Sequence, residues 1–86
     1  MKTWFVSVLI PFVDESEKYQ TLECESYRLI VSAINEISAK KKAVKQAIKM
    51  FREDLPDECL IILSQILVDD IYETSEDARL WNEMNY

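Results

Sequence analysis

The hydrophobic period of the chain changes within two residues of Asn35, and this change constrains the fold more than any other feature. Residues 27–33 alternate between two sets of side chains and are rich in β-branched types, which is typical of a β-strand. Beyond Asn35 the apolar residues recur at steps of three and four, which is typical of an amphipathic helix. Asn35 is a favourable N-cap, because its side-chain oxygen can accept from free amides of the first turn. The segment therefore predicts a strand and then a helix from about Glu36 to Glu53.

The predicted helix has one apolar half and one basic half. At about 100° per residue, one half carries small or apolar residues: Ala39, Ala43, Val44, Ala47, Ile48, Met50 and Phe51. The other half carries five basic residues: Lys41, Lys42, Lys45, Lys49 and Arg52. Because alanine adds little bulk, the three alanines predict that the helix lies close to the surface it covers.

A single long helix over residues 22–55 is the alternative. Four apolar residues spaced by seven support it: Ile30, Ile37, Val44 and Phe51. However, Lys40 and Lys41 occupy the positions where a second apolar register would lie, and residues 27–34 contain few strong helix formers. The sequence therefore favours the strand followed by the helix.

Two more strands complete the predicted sheet. Residues 3–13 are apolar on both faces, which predicts a central strand covered on both sides. Residues 19–34 predict an edge strand with a bulge or bend near Glu25 and Ser26, where the alternation weakens. The segment from Cys59 to Tyr72 predicts a third strand, and Thr74 or Ser75 would cap a short last helix that carries Leu80 and Trp81.

The predicted fold class is α+β, with residues 1–86 in one domain and the order β-β-α-β plus the short C-terminal helix. A hairpin and a right-handed crossover give a three-stranded antiparallel or mixed sheet of order 2-1-3, in which the third strand runs parallel to the second. The main helix covers one face only. We expect the C-terminal residues to cover part of the other face, and a homodimer partner or another protein to cover the rest.

The chain has no glycine and no histidine. Without glycine it cannot form a P-loop or a dinucleotide cradle. Without histidine, the two cysteines cannot supply the roughly four ligands of a structural zinc site, and no Ser-His or Cys-His catalytic pair exists. We therefore expect a protein that is not an enzyme and has no metal or cofactor.

Cys24 and Cys59 are predicted to be buried free thiols on the two outer strands. Strands separated by a third lie about 9 to 10 Å apart, which is too far for a disulfide. No segment reaches the roughly 20 apolar residues of a membrane span, and the N-terminal segment has no small-residue cleavage site of a signal peptide. We expect a cytoplasmic protein that does not bind a membrane.

The charge distribution is the best functional indication in the sequence. Residues 40–52 hold six of the ten basic residues and no acidic residue, whereas the net charge of the chain is −6. A solvated helix face whose cations suit the helix dipole explains this pattern without a function. The functional interpretation is a contact surface for an acidic partner. Nucleic acid is disfavoured, because the net charge repels phosphate and no aromatic residue interleaves with the lysines.

Two surfaces are candidates for binding a protein partner. The first is the basic helix face, formed by Lys41, Lys42, Lys45, Lys49 and Arg52. The second is the acidic end of the third strand, formed by Asp69, Asp70 and Glu73. The acidic residues alternate faces and lack a loop that could coordinate a cation, so solubility and protection of the sheet edge are the alternative explanation.

The pattern Val31-x-Ala33-x-Asn35-x-x-x-Ala39, continued by Ala43, Ala47 and Phe51, resembles the strand-to-helix joint of small split β-α-β proteins. It is similar to the joint of the archaeal ribosomal protein LX family, which binds the large ribosomal subunit. It also resembles the joint of small phage-encoded anti-CRISPR proteins, which block a host nuclease complex. The resemblance spans residues 31–51, and its implication is structural.

These observations lead us to expect a non-enzymatic protein-binding module, specifically a phage or mobile-element inhibitor of a host defence complex. The acidic balance of the chain suits an inhibitor better than a ribosomal protein. The alternatives are a nucleic-acid-binding accessory protein that uses the basic helix and a structural dimerising subunit.

Overall fold

The computed structural model describes residues 1–75 of the 86-residue chain. Its elements are β1 (Lys2–Asp14), β2 (Leu22–Ala33), α1 (Glu36–Asp54), β3 (Cys59–Ile61), a single 3₁₀ turn (Leu63–Gln65) and β4 (Leu67–Thr74). The α+β class is confirmed, and the long helix over residues 22–55 is wrong. The predicted last helix, with Leu80 and Trp81, lies outside the described residues.

The central strand of the sheet is β1. It pairs antiparallel with β2 along its length, from Lys2 opposite Ala33 to Val13 opposite Leu22. On its other side it pairs antiparallel with both β3 and β4. The strand order 2-1-3 is therefore confirmed, and the third-strand segments run in the same direction as β2.

The bulge predicted near Glu25 and Ser26 is wrong. These residues continue the unbroken register of the β1–β2 pairing, so the weakened alternation there reflects exposure near the hairpin end and not an extra residue. The irregularity is in β4, where Asp70 lies opposite Ser7 and Val68 opposite Val8. Asp69 is consequently the extra residue of the bulge.

The prediction of one continuous third strand from Cys59 to Tyr72 is wrong, because the 3₁₀ turn divides it into β3 and β4. Pro11 of β1 lies opposite this break, and its carbonyl oxygen accepts from the Ile62 N–H at 2.9 Å. The backbone of Pro11 thus faces the third strand, yet proline has no N–H to donate to a ladder. The missing donor gives the break a physical reason that the sequence pattern alone did not reveal.

The core lies between α1 and one face of the sheet. From the sheet, Val6, Val8 and Ile10 are fully buried. From the helix, Ala39, Ala43 and Ala47 are fully buried, which confirms the close approach predicted from the alanines. Phe51 packs edge-on against Phe12, with ring centroids 5.1 Å apart. An edge-to-face pair of this kind contributes about 0.5–1.5 kcal/mol beyond the area it buries.

Both ends of α1 are set by local sequence. Asn35 has extended backbone angles, and its Oδ1 accepts from the Ser38 N–H at 2.9 Å, which confirms the predicted N-cap. At the other end the Leu55 N–H donates to the Phe51 carbonyl at 2.9 Å. Pro56 follows, and a proline cannot continue the helix. The observed helix is one residue longer than the predicted one.

The connection from β1 to β2 is built without glycine. Asp14 Oδ1 accepts from the Ser16 N–H at 2.9 Å and from the Ser16 hydroxyl at 2.6 Å. This local turn bends the chain with negative φ angles, and none of the described residues has a positive φ.

Candidate functional site: a basic groove beside a strand edge

The predicted basic residues of α1 are all exposed, and few of them have partners. Lys49 Nζ lies 4.0 Å from Glu53 Oε1 one turn later, and an exposed pair of this kind contributes little stability. Lys42 Nζ donates to the Ser32 carbonyl oxygen at 2.6 Å. No other ion pair within residues 1–75 involves a cation of this helix, so its positive charge is available to a partner.

Four of the five cations surround one groove between α1 and β2, which we call the α1–β2 groove. The groove has a volume of about 920 Å³. Its rim is predominantly basic, with the cations Lys42, Lys45, Lys49 and Arg52 and one carboxylate, that of Glu53. Its apolar lining includes Val31 from the strand and Ile48 from the helix. Lys41 does not line this groove and instead borders a neighbouring depression with Lys40 and Val44, which Lys45 and Ile48 also line.

The strand that borders the groove is an edge of the sheet. Within the described part of the chain, β2 pairs with β1 only. The backbone carbonyl of Pro11 points toward the third strand. Backbone N–H and C=O groups of successive strand residues point to alternate sides, so those of the even-numbered residues of β1 point toward β2. Each lies opposite an odd-numbered residue of β2. The even-numbered residues of β2 therefore direct their N–H and C=O groups outward.

Three of these outward-facing residues are Arg28, Ile30 and Ser32, and the last two line the groove. The hydrogen bond from Lys42 to the Ser32 carbonyl agrees with this orientation. The α1–β2 groove therefore combines three features, which are outward-facing backbone groups, an apolar lining and a basic rim. The periodic pattern of the sequence predicts the cations, but it does not show that the helix places them beside the edge of β2.

The second candidate surface does not form one site. Asp69, Asp70 and Glu73 are all exposed, as predicted. However, Asp69 is the bulge residue, Asp70 lies opposite Ser7, and Glu73 lies opposite Trp4. Ser7 and Trp4 belong to opposite faces of β1, so the side chains of Asp70 and Glu73 point to opposite faces of the sheet. In addition, β1 separates β4 from β2 and therefore from the α1–β2 groove. Glu73 is also 3.7 Å from the Lys2 ammonium.

A different acidic cluster lies at the hairpin end, where oxygens of Asp14, Glu17 and Glu23 lie within 4.8 Å of one another. The register of β1 and β2 brings Glu23 beside Asp14, and sequence spacing could not show this. The pKa of the Asp14 carboxyl is below its usual value, because the hydroxyl and the N–H of Ser16 both donate to it. Exposed acidic clusters are common, and this one alone does not define a cation site.

Both cysteines are free, as predicted, but they are not buried. Cys24 is exposed and Cys59 is half-buried. Both residues lie near the hairpin end of the sheet, Cys24 opposite Pro11 and Cys59 opposite Asp14. Partial burial raises the pKa of the Cys59 thiol, and four nearby carboxylates raise it further: Asp14, Glu23, Glu58 and Glu17. The raised pKa favours the protonated thiol, which is a poorer nucleophile than the thiolate.

The face of the sheet opposite α1 mixes polar and apolar residues. Phe5 stacks on Tyr72, with ring centroids 4.9 Å apart, and Leu67 is 54% exposed. On the same face, Ser7 of β1 lies between its cross-strand partners, Arg28 of β2 and Asp70 of β4. The predicted cover by a second subunit stays a prediction.

Within residues 1–75, no helix combines the length and the apolar content that crossing a bilayer requires. Compared with known proteins, the chain matches no family model, no curated protein and no solved structure.

Proposed function

We propose that the protein is a non-enzymatic binding module that engages an acidic surface of a protein partner through the α1–β2 groove. The observation that supports this proposal is the clustering of Lys42, Lys45, Lys49 and Arg52 around an apolar lining. Cations spread over a helix would serve solubility, but four around one apolar groove suit a ligand that is both acidic and apolar.

The choice of protein over nucleic acid rests on charge and on side-chain type. The chain has a net charge of −6, so a polyanion would meet repulsion outside the groove. The residues that line the groove include no aromatic side chain on which a base could stack. A nucleic-acid-binding accessory protein is the alternative, and it relies on the same cations.

The specific role we propose is inhibition of a host defence complex by a phage or mobile-element protein in the cytoplasm. Two features support it, namely the resemblance of residues 31–51 to the joint of small anti-CRISPR proteins and the acidic balance of the chain. A role as a binding module also suits the raised pKa of the Cys59 thiol, since the shift disfavours the nucleophilic thiolate.

Charge reversal tests the proposal. The groove variant carries Lys45→Glu, Lys49→Glu and Arg52→Glu, and the control carries Lys18→Glu, Lys40→Glu and Lys41→Glu. The two variants have the same net charge, and all six positions are exposed. We expect the groove variant to lose the protein that co-purifies with the tagged wild type and the control to retain it, with unchanged circular dichroism in both.

Two results would contradict this proposal. Equal retention of the partner by both variants would show that the groove does not contact it. A mobility shift with single-stranded or duplex DNA at low salt, lost in the groove variant, would favour the nucleic-acid alternative.

A further inference from the structure

We propose that the α1–β2 groove receives an extended acidic segment of the partner, which adds to β2 as a further strand of the sheet. This inference rests on the proposed function and specifies the partner's binding segment and its backbone contacts. Strand addition of this kind obtains affinity from main-chain hydrogen bonds and specificity from pockets for alternate side chains.

The backbone evidence lies at Ile30 and Ser32. Both line the groove, and the alternation of β2 directs their N–H and C=O groups away from β1. An edge that presents such groups is a template for pairing unless it is blocked. Within residues 1–75, the one polar group that reaches this stretch is the Lys42 ammonium, which donates to the Ser32 carbonyl. A carbonyl oxygen has two lone pairs, so that bond leaves room for a second donor.

The side-chain evidence lies on α1. Alternate side chains of an added strand would point toward the helix, where they would meet Val31 and Ile48 and the basic rim of the groove. The rise of the helix from Lys42 to Arg52 is about 15 Å, at 1.5 Å per residue. An extended chain covers that length in about five residues, at roughly 3.3 Å each. The groove therefore suits a short segment with carboxylates at alternate positions.

The two sets of features select this ligand together. Phosphates of a nucleic acid would satisfy the cations, but they would leave the N–H and C=O groups of Ile30 and Ser32 without a matching ladder. A neutral strand would satisfy the edge and ignore the cations. An acidic extended peptide uses both, because its backbone supplies the ladder and its side chains supply the charge.

The test uses the full chain and a capped eight-residue peptide in which glutamate alternates with valine, followed by fluorescence anisotropy. A lysine–valine peptide of the same length is the charge control. Two N-methylated acidic peptides test the two edges of the added strand separately. One carries methyl groups on the glutamate amides and the other carries them on the valine amides. A single-stranded oligonucleotide of equal charge tests for a nucleic-acid ligand.

The protein variants form a matched pair on β2. Ser32→Pro removes an outward N–H inside the groove, and Ser26→Pro removes an outward N–H on the same edge outside it. Both residues are exposed, and proline is tolerated at outward positions of an edge strand. We expect Ser32→Pro to weaken binding of the acidic peptide about tenfold or more, equal to about 1.4 kcal/mol, and Ser26→Pro to leave it unchanged.

Hydrogen exchange on the wild-type protein gives a readout that needs no substitution. We expect the acidic peptide to slow exchange of the Ile30 and Ser32 amides. The amides of Leu29 and Val31 already face β1 and should change little. We also expect only one of the two N-methylated peptides to lose binding. If Ser32→Pro does not fold, the exchange pattern and the methylated pair still test the proposal.

The possible failures are distinguishable. Peptide binding that disappears in the Lys45, Lys49 and Arg52 charge-reversal variant, but tolerates Ser32→Pro and both methylations, would overturn strand addition and leave the protein-binding proposal standing. Preferential binding of the oligonucleotide would overturn both. Binding of the lysine–valine peptide as tightly as the acidic one would overturn the acidic specificity of the segment.

Discussion

The Lys42 ammonium lies 2.6 Å from the backbone carbonyl oxygen of Ser32 and joins the basic face of α1 to the outer edge of β2. The two residues belong to the two sides of the α1–β2 groove. Their contact shows that the charged helix face and the edge of the sheet form one surface. A partner that approaches either side therefore meets both.

The contact between Lys42 and Ser32 should contribute measurably to stability. We expect Lys42→Ala to lower the free energy of unfolding by about 0.5–1 kcal/mol, near the lower end for a hydrogen bond because the side chain is exposed. Lys41→Ala is the control, since Lys41 is exposed and makes no polar contact within the described residues. Urea denaturation compares the two, and equal midpoints would show that the hydrogen bond contributes nothing.

The N-cap at Asn35 should be a local determinant of helix stability. Asn35→Ala removes the acceptor of the Ser38 N–H and should cost about 1 kcal/mol. Asn35→Asp keeps the acceptor and adds a negative charge at the positive end of the helix dipole, so its stability should match or exceed that of the wild type. An alanine variant as stable as the aspartate variant in thermal and urea unfolding would contradict this expectation.

Phe51 should be among the most sensitive positions of the core. It is 2% exposed and packs on Phe12, so Phe51→Ala should destabilise the protein by about 3–5 kcal/mol. Ile37→Ala is the matched helical control, because Ile37 is 66% exposed. Similar losses from the two variants in chemical denaturation would mean that Phe51 does not occupy the packed position described above.

The close contact between helix and sheet should resist larger side chains. Ala43 of α1 is fully buried against the sheet. Ala43→Leu should therefore lower the free energy of unfolding by about 1–3 kcal/mol through overpacking. Lys40→Leu introduces the same side chain at an exposed position of the helix and should be nearly neutral. If unfolding experiments show Ala43→Leu to be stabilising, a cavity must lie beside Ala43.

The Asp14 carboxyl should give the hairpin end a dependence on pH. Its pKa is lowered in the folded protein, mainly by the Ser16 hydroxyl. A lowered folded pKa stabilises the protein above the pKa of the unfolded chain, and this stabilisation is lost as pH falls through the folded value, below about pH 4. Ser16→Ala should move the Asp14 titration, followed by NMR, upward toward its usual range. Ser16→Thr keeps the hydroxyl and should restore it, and an unmoved titration in Ser16→Ala would refute the assignment.

Association through the second face of the sheet also remains a prediction. Leu67 and Tyr72 are about half exposed there, beside the buried Phe5. If a second subunit covers this face, Leu67→Lys should weaken self-association in sedimentation equilibrium. Leu63→Lys should not, since Leu63 lies in the 3₁₀ turn. A wild-type chain that stays monomeric at high concentration would remove the homodimer from consideration.

Local sequence was enough to predict the elements that depend on neighbouring residues. The N-cap at Asn35, the helix that follows, the central position of β1 and the exposure of the basic residues could all be inferred from period and composition. These features follow from interactions over one to four residues or from burial of a single strand. Each of these features can therefore be inferred from a short window of the chain.

Long-range pairing explains what could not be inferred in the same way. The break opposite Pro11, the regular register at Glu25 and the meeting of Glu23 with Asp14 all depend on which residues lie across a strand pair. The α1–β2 groove has the same origin. Lys42, Lys45, Lys49 and Arg52 follow from a periodic pattern, but their position beside the outward-facing backbone groups of Ile30 and Ser32 requires the helix to be packed on the sheet.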